Sequence, residues 1–293
     1  MELRQLKYFL LVSRLGSITK AAEQSHIAQP AMSISIQKLE EELGVRLFDR
    51  GQRKLLLTDA GHIFLQRAES IISQVQNAVI EMEDYQESKR GAMKIGIPAM
   101  LGAFLFPYVF NKFQQDHPYL ELTIIEEGTL TITTLLEQGE LDVGIIPATT
   151  ISPRLETANI TTGELCVCLP LNHPLSKLTR IPFRELRNQQ FILFKEDTYS
   201  RQLIIEECTK HRFAPRIVFS SSQIETVLGL VEQGVGISFL FGLIAQKHRN
   251  IVSRPLTAPI FIQAGIAWNK NRYLSNAAQA FINAIRKYPF NED

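Results

Sequence analysis

Apolar positions in the first sixty residues recur three times at helical spacing and then shorten into strand-like pairs. Leu3, Leu6, Phe9 and Leu10 give a first helix one apolar face, and Gly16 stops it. Ser17 stands where a second helix over 18–25 needs a cap, and Ala21 and Ala22 are small enough for another helix to approach closely. The turn His26-Ile27-Ala28 leads into a third helix, where Pro30 is tolerated because the first turn has no intrahelical use for its N–H. Met32, Ile36, Leu39 and Leu43 share one buried stripe of that helix, while Pro30, Ser33, Ile34 and Gln37 point the other way. After Gly44, Leu47-Phe48 and Leu55-Leu56-Leu57 predict two short strands joined by Gly51-Gln52-Arg53-Lys54. Three helices and a basic hairpin make a winged helix-turn-helix over residues 1–58.

Thr58 is placed to cap a long helix from Asp59 to about Ser88, within a linker spanning 59–89. Gly61, Leu65, Ala68, Ile72, Val75, Val79 and Met82 alternate spacings of four and three, which is a heptad seam. A single seam on an otherwise polar helix predicts a partner helix, with Leu65, Ala68, Ile72, Val75, Val79 and Met82 as the dimer contacts. Packing within one chain is the alternative. From Lys89-Arg90-Gly91 onward, strands alternate with helices. Strands at 93–97, 120–125 and 141–146 enclose helices near 104–113 and 131–138. Strands near 165–169, 191–194, 217–220 and 236–240 follow with helices at 202–211 and 225–233, and 264–268 and 276–287 form a last strand-helix pair. The pattern predicts parallel sheets with right-handed crossovers. The chain is then α/β overall, with lobe I at 90–162 plus 267–293, lobe II at 163–266, and a cleft at the C-terminal strand ends.

Composition adds little against this picture. The 293 residues are 45% hydrophobic and 21% charged, as expected of two globular domains rather than of a disordered chain or a membrane protein. The formal charge of +1 gives the molecule no general affinity for polyanions, so any such affinity must be local. Arg46, Arg50, Arg53 and Lys54 against a lone Asp49 form the densest positive stretch. The N-terminus carries charges where a signal peptide needs an apolar core, and no run approaches the roughly 18 apolar residues of a membrane span. A cytoplasmic location is expected, with no membrane partner. Cys166, Cys168 and Cys208 cannot all pair, which fits a reducing compartment.

Catalytic chemistry finds little support. Cys166 and Cys168 alternate along a strand with no second pair to complete a zinc motif, and the six histidines are scattered. Gly234 and Gly236 follow a helix, whereas a dinucleotide fingerprint follows a strand. The expectation is no enzyme, no metal and no cofactor.

Six ordered blocks carry a resemblance. They are Leu6-Lys7-Tyr8-Phe9, Gly16-Ser17-Ile18-Thr19-Lys20-Ala21-Ala22, Ala28-Gln29-Pro30-Ala31-Met32-Ser33, Leu39-Glu40-Glu41-Glu42-Leu43-Gly44, Leu47-Phe48-Asp49-Arg50 and Leu57-Thr58-Asp59-Ala60-Gly61. Together they resemble the LysR-type transcriptional regulators of bacteria, and fragments at 113–118, 139–144 and 231–240 resemble that family's effector-binding domain. The resemblance implies a sequence-specific regulator that binds double-stranded operator DNA, assembles as a homodimer or a tetramer of two dimers, and meets RNA polymerase at the promoter. It implies a periplasmic-binding-protein-like effector domain. A transport solute-binding protein would fit the residues after Gly91 but leaves the first ninety without a use.

On the DNA face, Gln29 can bond an adenine edge, Ser33 a base or phosphate, and Ile34 a thymine methyl, beside Pro30 and Gln37. Arg50, Arg53 and Lys54 would hold phosphates or enter the minor groove. Two departures from the family pattern stand out. Ala28 replaces a capping Ser or Thr, and Ile34 replaces an Arg. The resemblance also puts a small effector between the lobes, against a loop of Pro98, Ala99, Met100 and Leu101, with Thr129, Pro147, Ala148, Thr198, Arg201, Ser221 and Ser222. Helix N-termini there suggest a small amphipathic carboxylate. Its acidic end would meet Arg201 with Thr198 or Ser221, and its apolar part Met100 and Leu101. The competing reading makes Arg201 a solvated surface residue.

Overall fold

The computed structural model describes residues 1–49, 55–85, 92–150, 152–246 and 248–287. They divide into two compact units, Met1–Tyr85 and Gln86–Asp293.

In the first unit, α1 (Leu3–Leu15), α2 (Ile18–Gln24) and α3 (Gln29–Leu43) precede a short hairpin of β1 (Phe48–Asp49) and β2 (Leu56–Leu57) and the long α4 (Asp59–Tyr85). The punctuation falls where expected. Gly16 and Gly44 close α1 and α3 at φ +59° and +69°, a left-handed conformation that costs glycine nothing. The Ser17 side chain accepts from Lys20 N–H at 3.3 Å at the start of α2. Thr58 accepts from Gly61 N–H at 3.0 Å and donates to the Arg46 carbonyl at 2.7 Å, so one hydroxyl caps α4 and ties it to the chain entering the hairpin. A Cβ at position 61 would overlap the Leu47 carbonyl oxygen, which makes that residue a glycine for lack of space.

Leu6, Phe9 and Val12 of α1 meet Ala21 and Ala22 of α2 and Met32, Ile36 and Leu39 of α3 in a single core. Phe9 lies between the hairpin and α4, with ring centroids 5.4 Å from Phe48 and 5.1 Å from Phe64.

The second unit opens with β3 (Ala92–Ile97), α5 (Ala99–Asp116), β4 (Glu121–Glu126), α6 (Thr129–Gln138) and β5 (Val143–Pro147). β6 (Leu155–Pro170) follows, then two short 3₁₀ turns, β7 (Gln190–Leu193), α7 (Tyr199–Lys210), β8 (Arg216–Ser220) and α8 (Ile224–Glu232). The chain ends with β9 (Ser238–Phe241), α9 (Gly242–Ala245), β10 (Ile251–Asn269) and α10 (Asn276–Lys287).

The expectation of all-parallel sheets is corrected. β3 pairs in parallel with β4 and β5, and β7 with β8. β10, however, is antiparallel to both β5 and β6, and β6 is antiparallel to β9. The result is a mixed six-stranded sheet ordered β4-β3-β5-β10-β6-β9. The fragments predicted at 165–169 and 264–268 are parts of strands of 16 and 19 residues. Their remaining portions, rich in Thr, Asn, Pro and Gly, lack the apolar runs that mark a buried strand. Residues 155–165 of β6 pair with 260–269 of β10 near β5, and residues 166–170 pair with 251–255 near β9. These two strands therefore carry the chain through both lobes of an α/β domain.

Residues 99–101, expected as loop, form the first turn of α5. Gly234, at φ +74°, lies just beyond α8, and a Cβ on Gly236 would strike the Gln190 carbonyl as the chain enters β9. This glycine pair therefore serves a chain reversal.

Candidate functional site

The outer face of α3 is what its core stripe leaves over. Met32, Ile36 and Leu39 are fully buried, which turns Gln29, Pro30, Ile34 and Gln37 outward and leaves Ser33 half-buried. Ile34 is 53% exposed, an open apolar side chain on an otherwise polar face. The Gln37 amide donates to Glu41 Oε1 at 2.9 Å, which leaves its carbonyl oxygen as the free end. No side chain caps α3, as Ala28 requires. Arg50, Arg53 and Lys54 lie outside the described residues.

Sequence reasoning missed Glu40. Its carboxylate is buried at the C-terminal end of α3 and accepts from Leu47 N–H at 2.7 Å and Phe48 N–H at 3.1 Å. Charge-assisted bonds of this kind satisfy two backbone donors and fix the hairpin's root to α3. The block Leu39-Glu40-Glu41-Glu42-Leu43 held the signal, because Glu40 follows the stripe residue Leu39 on the buried side.

The heptad seam of α4 divides. Ala68 and Ile72 are buried in the core of their own unit and Leu65 is packed against it, which corrects their assignment to a dimer contact. The first half of α4 crosses α1, so its apolar side is already covered. Beyond it, Val75, Val79 and Met82 are 38%, 53% and 56% exposed on successive turns.

In the second unit a cleft of about 200 Å³ opens between the lobes. Ala99, Met100 and Leu101 from α5, Thr129 from α6, and Pro147 line it on one side. Thr198 and Ser222 line it on the other. Three expected residues are elsewhere. Ala148 packs toward β10, its N–H donating to the Gln263 carbonyl at 2.7 Å, and Ser221 Oγ accepts from Gln223 N–H at 3.0 Å. Arg201 is corrected on both of its readings. Its guanidinium is largely buried and donates to the Phe194 carbonyl at 3.0 Å, Ser220 Oγ at 2.8 Å and Glu196 Oε1 at 3.2 Å, so it clasps the ends of β7 and β8.

Several cleft residues escaped the sequence reading. Glu126 ends β4 with Glu127 and Gly128 directly after it, and Phe194, Lys195, Asp197, Tyr199 and Ser200 follow β7. Their signal was positional, since ligands of open α/β sheets gather beyond the carboxyl ends of strands. Among the described residues, three hydrogen bonds span the cleft. Leu130 N–H donates to the Asp197 carbonyl at 3.2 Å, Thr131 Oγ1 bonds Asp197 Oδ2 at 3.3 Å, and Thr149 Oγ1 bonds the Tyr199 hydroxyl at 3.0 Å. The Asp197 carboxylate sits against Gly128, where any Cβ would strike it, and so fills the N-terminal end of α6.

The cysteines offer no chemistry at neutral pH. Burial pushes the Cys166 thiol up to about 11 and Cys208 to about 12, and moves Cys168 further in the same direction. An unfolded thiol ionises near pH 8.5, so the unfolded chain releases protons that the folded one keeps. Stability should then fall as pH rises through 9 toward about 11. Among the described residues no trio of His, Cys, Asp or Glu could hold a metal, and no helix is long and apolar enough to cross a membrane.

A winged helix-turn-helix with an open third-helix face, carried in one chain with a two-lobed cleft domain, defines a DNA-binding regulator with a ligand-type domain. Comparison with known proteins agrees along nearly the whole chain. Residues 3–62 match the family described as "Bacterial regulatory helix-turn-helix protein, lysR family", and residues 86–289 match "LysR substrate binding domain". The HTH-type transcriptional regulator YwbI of Bacillus subtilis (strain 168) is 35% identical over 98% of this chain and 97% of its own length. The transcriptional dual regulator GltC of the same organism is 31% identical over 98% and 97%. Among solved structures, full-length OxyR from Pseudomonas aeruginosa superposes with a TM-score of 0.68 at 26% identity, covering 99% of this chain and 96% of that one. Full-length BenM gives 0.60 at 29% identity, covering 98% and 96%. The chain belongs to the LysR family of bacterial transcriptional regulators.

Proposed function

We propose that this chain controls transcription in response to a small molecule bound between the lobes of its second unit. The observation that carries the reading is the outward face of α3, where Gln29, Pro30, Ser33, Ile34 and Gln37 surround no core of their own. A helix of this kind enters the major groove, where Gln29 bonds a base edge and Ile34 meets a thymine methyl. Arg50, Arg53 and Lys54 of the wing add phosphate contacts that supply affinity and salt dependence rather than sequence choice.

Val75, Val79 and Met82 pair with the same residues of a second copy. The homodimer then presents two recognition helices to an imperfectly palindromic operator, and two dimers assemble into a tetramer. The protein acts in the cytoplasm, contacts RNA polymerase at the promoter and catalyses no reaction. The description of GltC as a dual regulator supports a factor that acts on transcription through bound DNA.

Selection of operator fragments from random DNA by the full-length protein, followed by footprinting with and without a library of small metabolites, tests the reading. The expected result is a two-half-site operator whose footprint changes in length or affinity with an active compound. Binding without sequence preference would overturn the assignment of α3, and an unresponsive footprint would overturn the effector role.

A further inference from the structure

The charge and hydrogen-bonding groups of the cleft narrow the ligand class. This inference rests on the effector reading above and deepens it. Thr129 and Ser200 are buried polar residues, 4% and 7% exposed, one from each lobe. Both line the cleft, and among the described residues neither hydroxyl oxygen is a buried atom lacking a partner, so both hydroxyls open onto the cleft. Hydroxyls held on otherwise buried residues at a cleft wall are convergent polar groups that a ligand can bond.

The ionised groups at the same cleft are unbalanced. Among the described residues that line it, Glu126, Glu127 and Asp197 bring three carboxylates against the single ammonium of Lys195. Glu126 and Glu127 are exposed and form no ion pair among the described residues. Arg201, in the first turns of α7, does not line the cleft and is held by the Phe194 carbonyl, Ser220 and Glu196. The N-terminal end of α6, where a ligand carboxylate would gain most, is already filled by Asp197. A carboxylate ligand would therefore meet like charge, whereas a cation would meet acceptors. Met100, Leu101, Phe194 and Ile262 supply an apolar floor.

We propose that the cleft binds a small ammonium-bearing molecule with an apolar body. Its N–H groups donate to Thr129, Ser200 and the carboxylates of Glu126 and Glu127, and its hydrocarbon part rests on Met100 and Ile262. Two sources share this chemistry, a simple amine and an α-amino acid. In the amino acid, the carboxylate would turn to the first turn of α7, which no side chain caps.

Three matched probes, isoamylamine, leucine and isocaproate, separate these classes, because they share a branched apolar body and differ in charge. Thermal unfolding and calorimetry of the full-length protein at millimolar probe should show stabilisation by isoamylamine, by leucine, or by both, and none by isocaproate. Which of the first two binds distinguishes amine from amino acid. The double variant Glu126→Gln/Glu127→Gln, at exposed positions that do not threaten folding, should weaken that binding roughly tenfold or more and reduce its salt dependence. Unchanged affinity in the double variant would overturn the proposal, as would failure of both ammonium compounds to bind. If isocaproate alone binds, and Ala99→Trp abolishes it by filling the cleft, the ligand class is wrong while the effector reading stands. If no probe binds and no metabolite alters the footprint, both fail.

Discussion

The two units place their functional groups in opposite ways. In the first, the groups proposed to read base edges, Gln29 to Gln37, lie within nine residues of one helix on the side its core stripe leaves over. In the second, the cleft is assembled from stretches near 98–101, 126–129, 147, 194–200, 222 and 262, brought together by strand order. An outward face is the complement of a local period and can be derived from spacing alone. An inward cleft depends on which distant strands are neighbours, and a linear pattern holds that information weakly.

The largest effect that could break this comparison belongs to the second half of α4. Val75→Glu adds an acid to a residue already 38% exposed, so the isolated fold should tolerate it. In a paired helix it would bury an unmatched carboxylate, at roughly 3–5 kcal/mol. Native mass spectrometry should show dissociation, with operator binding lost and circular dichroism unchanged. A dimeric Val75→Glu protein would reject the seam.

Next in size is Gly61→Val, which forces a branched side chain into the Leu47 carbonyl. Overpacking of this kind costs about 1–3 kcal/mol. Urea unfolding followed by separate probes in each unit should show the first transition moving to lower denaturant while the second stays. Movement of both would mean that the units do not unfold independently.

Gln29→Ala sharpens the same contrast at the DNA face. It should reduce discrimination between the selected operator and random DNA by about 1–3 kcal/mol, leaving nonspecific affinity intact. Intact operator preference would place the reading face elsewhere.

The smallest expected effect is in the cleft. Asp197→Ala removes the Thr131 bond across the lobes and empties the end of α6, for roughly 0.5–1.5 kcal/mol of the second unit's stability. Hydrogen exchange at Leu130 should speed up, and exchange in the first unit should not change.

Legibility in the sequence followed the same division. The three helices, the Ser17 and Thr58 caps, the glycine stops and the α3 face were all present in spacing and punctuation. The seam of α4 was correct as a pattern, but its burial was not, since a heptad repeat cannot say whether α1 or another chain covers it. Most first-lobe cleft residues were found because the resemblance named their loops. Glu126, Glu127 and Asp197 were not, because a polar residue after a strand looks like any turn. Arg201 was misassigned because the groups that hold it, the Phe194 carbonyl, Glu196 and Ser220, lie five to nineteen positions away and meet it only in the fold.

The continuous pair β6 and β10 constrains how this domain can change length. Side chains alternate along a strand, so losing one residue turns over the remainder of that strand. Here the strand runs through both lobes, and a deletion in one would misface residues in the other. The ladder already slips at two places, between Pro255 and Ile260 and between Ala264 and Gly265. Insertions and deletions among homologues should therefore collect at those two slips and leave the intervening stretches fixed in length.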